Sequence, residues 1–110
     1  MTDLDVQELL KAMLEAAQGE FKEKWPTIKD FAKSELEKLA NTLVQIGKLK
    51  ATGQITEGEA KILLEMQKNT ARTVMLTLEG MGLLLVEAAI NSALAVVKDT
   101  VNGAVGFVLV

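Results

Sequence analysis

The segment from Val74 to Val97 constrains the fold of this chain more than any other part, because it is far more apolar than a solvated helix. Its only charged residues are Glu79 and Glu87. An amphipathic helix on a protein surface keeps a large part of its circumference polar. The segment must therefore be covered, and three covers are available: a core shared with other copies of the chain, a membrane, or an apolar ligand.

A membrane cover is disfavoured by the two acidic residues. About 20 apolar residues are enough to cross a bilayer. The aliphatic residues of segment 74–97 contribute roughly −4 to −8 kcal/mol to insertion, whereas each central acidic residue costs about 2.5 to 3.5 kcal/mol. Glu79 and Glu87 therefore cancel most of the gain. A cover made of protein is favoured over a membrane-spanning helix.

The composition favours a single all-α domain. A chain of 110 residues is sufficient for one core, or for half of a shared core. The sequence has a single Pro and no Tyr, and it is rich in Ala and aliphatic residues. The net charge is −3 and no cluster of Lys and Arg marks one face, so nucleic-acid binding is disfavoured.

Cysteine and histidine are both absent from the sequence, which limits the chemistry that the chain can perform. Without Cys there are no disulfides or thiolate metal sites, and without His the commonest general base and metal ligand is missing. We therefore expect no enzymatic activity and no cofactor. The acidic, amphipathic N-terminus is unlike a signal peptide, which favours a cytoplasmic location.

Apolar residues recur at helical spacing in three segments. They predict helices over residues 4–24, 27–52 and 56–100. The side chain of Thr2 or Asp3 is expected to cap the first helix, because both residue types accept hydrogen bonds from free backbone N–H groups at a helix start.

Two junctions separate these helices. Trp25-Pro26 interrupts the first pattern, since Pro disfavours a helical residue before it and is favourable in a first helical turn. The Trp25 ring is expected to fill the junction. Gly53 suits the left-handed position after a helix end, and Thr56 with Glu59 forms a capping box. This second connection is short, so it predicts an antiparallel helical hairpin.

The two weak points of the hairpin arms lie at the same level. Pro26 and Gly80 are equally far from Gly53 along the chain, one before it and the other after it. Either both arms fold back, giving a monomeric four-helix bundle, or both bend, giving a long antiparallel hairpin whose four-helix-type bundle is completed by oligomerisation. Residues 79–82 include Met81 and are flanked by leucines, which is poor composition for an exposed turn. We therefore favour the bent hairpin.

The C-terminal segment, residues 101–110, is treated separately from the helical domain, residues 1–100. Asn102-Gly103 is a helix stop signal, and residues 105–110 are mostly β-branched or aromatic, which is typical of a short extended segment. A frayed tail is usually polar. We therefore expect this apolar tail to dock in a groove of its own subunit or of a neighbouring one.

Polar side chains also recur along one side of the third predicted helix. They are Glu79, Glu87, Asn91 and Lys98. With Glu35 or Glu65 from other helices, such carboxylates could form an all-oxygen metal site. The Glu-x-x-His spacing of helical-bundle metal sites is absent from the sequence, so a solvated strip is favoured and no metal is predicted.

We accordingly predict a non-catalytic helical scaffold or protein-interaction module that associates with copies of itself. The alternative is a peripheral membrane or apolar-ligand (lipid) binding protein that uses the surface from Val74 to Val110. The predicted oligomer interface comprises apolar residues of the third helix and the tail: Val74, Leu78, Met81, Leu84, Leu85, Ala88, Phe107 and Leu109.

Overall fold

The computed structural model describes residues 4–110 and confirms an all-helical fold, with no strand in that part of the chain. A 3-10 turn, Lys22–Lys24, joins the first two α-helices. The described residues form four α-helices: α1 Val6–Phe21, α2 Trp25–Ala51, α3 Glu57–Leu76 and α4 Leu83–Val105.

Helix α1 begins at Val6, later than predicted, and its cap is Asp5. The Asp5 carboxylate accepts hydrogen bonds from the backbone N–H groups of Gln7 at 2.8 Å and Glu8 at 3.3 Å. The predicted caps, Thr2 and Asp3, lie outside the described residues. The cap type is therefore the expected one for a helix start, at a later position.

The junction between α2 and α3 confirms the sequence prediction. Gly53 has φ 70°, in the left-handed region that favours Gly. The N–H of Glu59 donates to the Thr56 hydroxyl at 3.1 Å, and the N–H of Thr56 donates to the Glu59 carboxylate at 3.0 Å. The backbone N–H of Thr56, and to a lesser extent its hydroxyl, favours the charged carboxylate and lowers the pKa of Glu59. The capping box therefore fixes the start of α3.

At the junction between α1 and α2 the chain reverses direction, whereas the bent hairpin required only a bend there. Helix α1 ends at Phe21, and Lys22 adopts φ 54° and ψ −120°, which is rare for a residue other than Gly. Pro26 lies in the first turn of α2. The half-buried Trp25 ring stacks on the buried Phe21 ring with centroids 6.2 Å apart. Trp25 thus fills the junction, as predicted.

The third predicted helix, residues 56–100, is broken between Leu76 and Leu83. Helix α3 ends at Leu76, and Gly80, in the turn that follows, has φ 83°, which an α-helix does not contain. Leu78 and Met81, the apolar residues that argued against an exposed turn, are half-buried and pack against the core. The turn is therefore stable because its apolar side chains point inward.

Because both arms reverse, the bent hairpin is not confirmed. Each helix lies antiparallel to the next, and the bundle measures 42 × 22 × 18 Å. Helix α2, with 27 residues, is about 40 Å long and spans the full length of the bundle. The Lys24 ammonium donates to the Gly80 carbonyl at 2.7 Å, so the two reversals do lie at the same level. Oligomerisation stays a prediction.

Helix α4 packs mainly against α1, and that pair shares the largest helix–helix interface of the described residues. The buried Ala89 and Ala93 of α4 are small enough to allow close approach of a neighbouring backbone. The buried positions of α4 are Val86, Ala89, Ile90, Ala93, Leu94, Val97, Val101 and Val105. The most apolar segment of the sequence is thus largely covered by the chain itself.

Helix α4 continues past the predicted end near residue 100 and past the Asn102-Gly103 signal. It ends at Val105, and Gly106, with φ 81°, provides the left-handed residue that stops it. The extended tail is therefore short and comprises residues 107–110. The helix end predicted at Asn102-Gly103 was therefore too early. Asn102 does not end the helix, and its side chain instead holds the tail.

Candidate functional site

The predicted interface residues do not form one exposed surface. Leu84 is 86% exposed, the largest exposed fraction among the large apolar side chains described. Leu109 is buried. The remaining six are half-buried against their own chain: Val74, Leu78, Met81, Leu85, Ala88 and Phe107. Of the predicted set, only Leu84 is fully available to a partner.

Of the polar side chains considered for a metal site, Glu65, Asn91 and Lys98 line one groove between α3 and α4, and the other carboxylates do not line it. Glu79 and Asn91 are exposed, and the half-buried Glu87 accepts a hydrogen bond from the Arg72 guanidinium of α3. Among the described residues, no group of three or more acidic side chains is close enough to hold a metal ion. The stripe on α4 therefore includes an ion pair that joins α3 to α4.

Glu35 is the only charged residue that is buried in the described part of the chain, with 3% of its surface exposed. One carboxylate oxygen accepts a hydrogen bond from the Lys38 ammonium at 3.1 Å. The other oxygen, Oε1, is buried and has no protein partner. The pair lies within α2, one helical turn apart, and joins no second helix.

The charged residues of α3 after Ala60 all lie on one side of that helix. They recur at steps of four, three and four, which is the period of a single helical stripe. This stripe consists of Lys61, Glu65, Lys68 and Arg72. Lys68 pairs with Glu65 at 3.4 Å, and Arg72 pairs with Glu87 of α4. The charged side of α3 therefore faces α4.

The side of α3 that faces away from its buried residues is exposed, and it carries no charged residue between Ile62 and Leu76, although Glu59 lies on the same side one turn before Ile62. We call this the outer face of α3. Its first two side chains, Ile62 and Met66, are 62% and 60% exposed. All five of its residues are exposed and recur at steps of four, three, four and three: Ile62, Met66, Asn69, Thr73 and Leu76. Solvated helix faces are normally rich in Lys and Glu, so this face is unusual.

Further exposed apolar side chains lie at the level of the α3–α4 turn, where the outer face ends. Leu76 and Leu84 are equally far from Gly80 along the chain and belong to neighbouring antiparallel helices, so they lie at the same level of the bundle. Phe31 of α2 is 48% exposed. It is level with Met75 of α3, because the two residues are equally far from Gly53 on the two arms of the hairpin. Exposed apolar side chains of three helices therefore lie at this level of the bundle.

A second feature, the α3–α4 groove, runs between these two helices and has a volume of about 410 Å³. Its apolar floor consists of buried leucines from three elements, and its rim carries ammonium groups from both helices. The floor is Leu64, Leu94 and Leu109, and the rim is Lys61, Lys68 and Lys98. Helices α3 and α4 have the smallest interface of the helix pairs in contact, which leaves room for this groove.

The tail forms one wall of the groove because Asn102 holds it there. The Asn102 side-chain oxygen accepts hydrogen bonds from the N–H groups of Leu109 and Val110, both at 2.9 Å. Its amide nitrogen donates to the Val110 carbonyl at 3.2 Å. The Lys50 ammonium lies 5.7 Å from the centre of the Phe107 ring. The tail thus docks on its own chain, which is one of the two predicted alternatives.

Sequence reasoning missed both the outer face and the groove. The signal for the outer face was present, because the charged residues of α3 after Ala60 fall on one stripe and leave the side from Ile62 to Leu76 without charge. The signal for the groove was not readable, since its walls come from residues far apart in the sequence, such as Lys61, Lys98 and Leu109. Their proximity depends on the fold-back at Gly80.

In the part of the chain that the structure describes, the helices are too short or too polar to cross a membrane. Comparisons with known protein families, curated proteins and solved structures found no match to this chain. Functional inference therefore depends on the surfaces described above.

Proposed function

We propose that this protein is a non-catalytic helical module that associates with copies of itself through the outer face of α3. The observation that carries the proposal is the absence of charge on this exposed face, from Ile62 to Leu76, together with the exposure of Ile62 and Met66. Exposed apolar patches on small proteins commonly mark interaction sites. The cysteine-free composition favours placing such a module in the cytoplasm.

A second copy is the partner that best fits this face. Two uncharged faces can meet without burying an unpaired charge, which is costly in an interface. The polar members of the face have partners within α3: the Asn69 side-chain oxygen accepts a hydrogen bond from the Arg72 guanidinium, and the Thr73 hydroxyl donates to the Asn69 carbonyl at 2.8 Å, so a helix pair would not leave these two groups unpaired. Met66 is flexible enough to fill the space between two helices.

The proposed interface differs from the one that the sequence predicted. It keeps Leu84 at the end of the outer face, and it leaves out Leu109, which supports the fold of its own chain. Residues Ile62, Met66 and Leu76 replace the half-buried positions, which lie at the end of α3, in the α3–α4 turn, in α4 and in the tail. The proposal thus moves the centre of self-association from α4 to α3.

The test is the Met66→Glu variant, studied by sedimentation equilibrium over a range of protein concentrations. Met66 is exposed, so the variant should fold with unchanged helical circular dichroism. The wild-type mass should increase with concentration, and the variant should stay monomeric, because association would bury an unpaired carboxylate. Gln45→Glu adds the same charge at an exposed site of α2 and should associate like the wild type.

Two results would contradict the proposal. One is a wild-type chain that is monomeric at every concentration measured. The other is a Met66→Glu variant whose mass follows that of the wild type and of Gln45→Glu.

A further inference from the structure

We infer that the α3–α4 groove is a binding site for a single-chain amphiphilic anion, such as a medium-chain fatty carboxylate. The groove lies on the charged side of α3, away from the outer face, and nothing in the self-association proposal uses it. The inference therefore stands independently of that proposal.

The floor of the groove suits an alkyl chain. Leu64, Leu94 and Leu109 come from α3, α4 and the tail, and each keeps 5–8% of its surface exposed at the bottom of an open depression. Ligand pockets are usually about 300 to 1,000 Å³ in volume. A groove of about 410 Å³ is at the small end of that range, which favours one alkyl chain over a two-chain lipid.

The rim of the groove suits an anionic head group. Lys61 and Lys98 come from opposite walls, and neither forms an ion pair with another described residue. Lys68 also lines the groove and pairs with Glu65 at 3.4 Å. Three ammonium groups thus converge on a protein whose net charge is −3. Cations outnumber anions on the rim even if a carboxylate at Val110 is counted beside Glu65.

Apolar floor and cationic rim together identify the ligand class. A carboxylate with an alkyl chain can place its chain on the leucines while its head group lies between Lys61 and Lys98. A neutral or cationic amphiphile would gain only the first of these interactions. Charge complementarity is therefore the property that separates the proposed ligand from other apolar molecules.

The floor of the groove is complete only when the tail is docked. Leu109 reaches the floor only because Asn102 holds the backbone of Leu109 and Val110. Asn102 is therefore a positioning residue for the groove. Replacing it should weaken ligand binding even though its side chain does not line the groove.

The inference is tested by calorimetric titration with sodium laurate below its micelle concentration. Laurate should bind saturably with one site per chain, and dodecyltrimethylammonium, which has the same chain and the opposite charge, should bind at least about fivefold more weakly. Across octanoate, decanoate and laurate, affinity should increase by up to about fourfold for each added methylene, because each is buried on the floor.

Two variants localise the site. Lys61→Gln/Lys98→Gln should weaken laurate binding by about fivefold or more, whereas Lys33→Gln/Lys48→Gln, which removes the same charge from exposed positions of α2, should bind like the wild type. Ala95→Phe places a ring in the groove and should abolish binding. Circular dichroism checks that each variant is folded. The titrations are repeated in Met66→Glu protein, so that self-association does not affect the result.

Several outcomes would overturn the inference. They are no saturable binding of monomeric laurate, equal affinity for the anionic and cationic amphiphiles, and equal weakening by the groove and control lysine pairs. Flotation with vesicles that contain phosphatidylglycerol, without binding of monomeric laurate, would also overturn the inference. The groove would then bind a membrane surface and not a free amphiphile.

Discussion

Helix α4 is the most apolar helix of the bundle and α3 is the least apolar, yet α3 exposes Ile62 and Met66 on a side that carries no charge between Ile62 and Leu76. Eight residues of α4 are buried, against four residues of α3. The hydrophobic residues of α4 are therefore mostly used by the fold. Those of α3 are distributed so that Ile62 and Met66 point outward, away from its charged stripe.

This difference shows that the apolar content of a helix does not by itself tell whether the helix has an exposed apolar face. The placement of its apolar residues has to be considered separately. A highly apolar helix can be satisfied inside its own bundle when small residues allow a close neighbour, as α1 is for α4. The least apolar helix can still present an interaction surface when the charges beyond its first turn are confined to one stripe. The stripe of α3 confines them to the side that faces α4.

The largest expected contrast between α4 and α3 comes from matched isoleucine truncations. Ile90→Ala removes a fully buried side chain of α4 and should lower the free energy of unfolding by about 2 to 5 kcal/mol. Ile62→Ala removes an exposed side chain of α3 and should change it by less than about 0.5 kcal/mol at a concentration where the chain is monomeric. Urea unfolding measures both. Equal losses would show that the two helices are not used differently.

The next contrast tests the reversal that returns α4 to its own bundle. Gly80→Ala forces a residue with a Cβ atom into φ 83° and should destabilise the fold by about 1 to 2 kcal/mol. In a continuous bent helix the same change would be stabilising by about 0.5 to 1 kcal/mol. The sign of the effect in thermal unfolding therefore distinguishes the fold-back from the bent hairpin.

Gly19→Ala is the matched control for Gly80→Ala. Gly19 lies within α1, and a Cβ atom added there would meet no other atom within 4 Å. This variant should be stabilised by about 0.5 to 1 kcal/mol. A Gly80→Ala variant that is stabilised as much as Gly19→Ala would restore the bent hairpin.

A smaller effect is expected where α4 holds the tail. Asn102→Ala removes three hydrogen bonds to Leu109 and Val110, each worth about 0.5 to 1.5 kcal/mol, so the tail should open more readily. Hydrogen exchange of those two amides should accelerate. Asn102→Asp keeps the two acceptor bonds and should retain most of the protection. Unchanged exchange in Asn102→Ala would show that apolar packing alone holds the tail.

The smallest expected effect concerns the start of α3. The pKa of Glu59 is lowered by hydrogen bonds from Thr56, so its charged form adds stability above the ordinary value of 4.5. That contribution is lost as the pH falls through the lowered pKa. Glu59→Gln should therefore be less stable than the wild type at neutral pH, with a smaller difference at pH 3. A difference that does not depend on pH would contradict the charge-assisted cap.

The elements with local signals could be predicted from the sequence, and those that depend on tertiary packing could not. Gly53 and the Thr56–Glu59 capping box marked one junction because their geometry is fixed within a few residues. The turn at Gly80 was predicted as a bend, because Leu78 and Met81 looked unsuited to an exposed loop. Only the packed bundle shows that both side chains point inward.

The candidate sites likewise show which features could be read from local sequence and which depend on tertiary packing. Leu84 was predicted as an interface residue and is exposed, but Leu109 was assigned to the same surface and is buried by its own chain. Periodicity assigns residues to one side of a helix without saying which neighbour covers that side. The charged stripe of α3 could be read from the sequence, and its contact with α4 required the fold.

A cysteine footprint tests most directly whether the outer face of α3 is covered by another copy. The natural chain has no Cys, so single variants can be alkylated at one site each. Thr73→Cys reports on the outer face, Gln45→Cys on exposed α2, and Ala95→Cys on the groove side of α4. Each single-cysteine variant is mixed with excess wild-type chain before any alkylating reagent is added. The rate at which its one thiol is alkylated is then measured.

We predict that excess wild-type chain slows alkylation of Thr73→Cys and leaves the rates at the Gln45 and Ala95 positions unchanged. If the Thr73 position is alkylated at the same rate with and without the wild-type chain, the outer face of α3 is not a self-association surface.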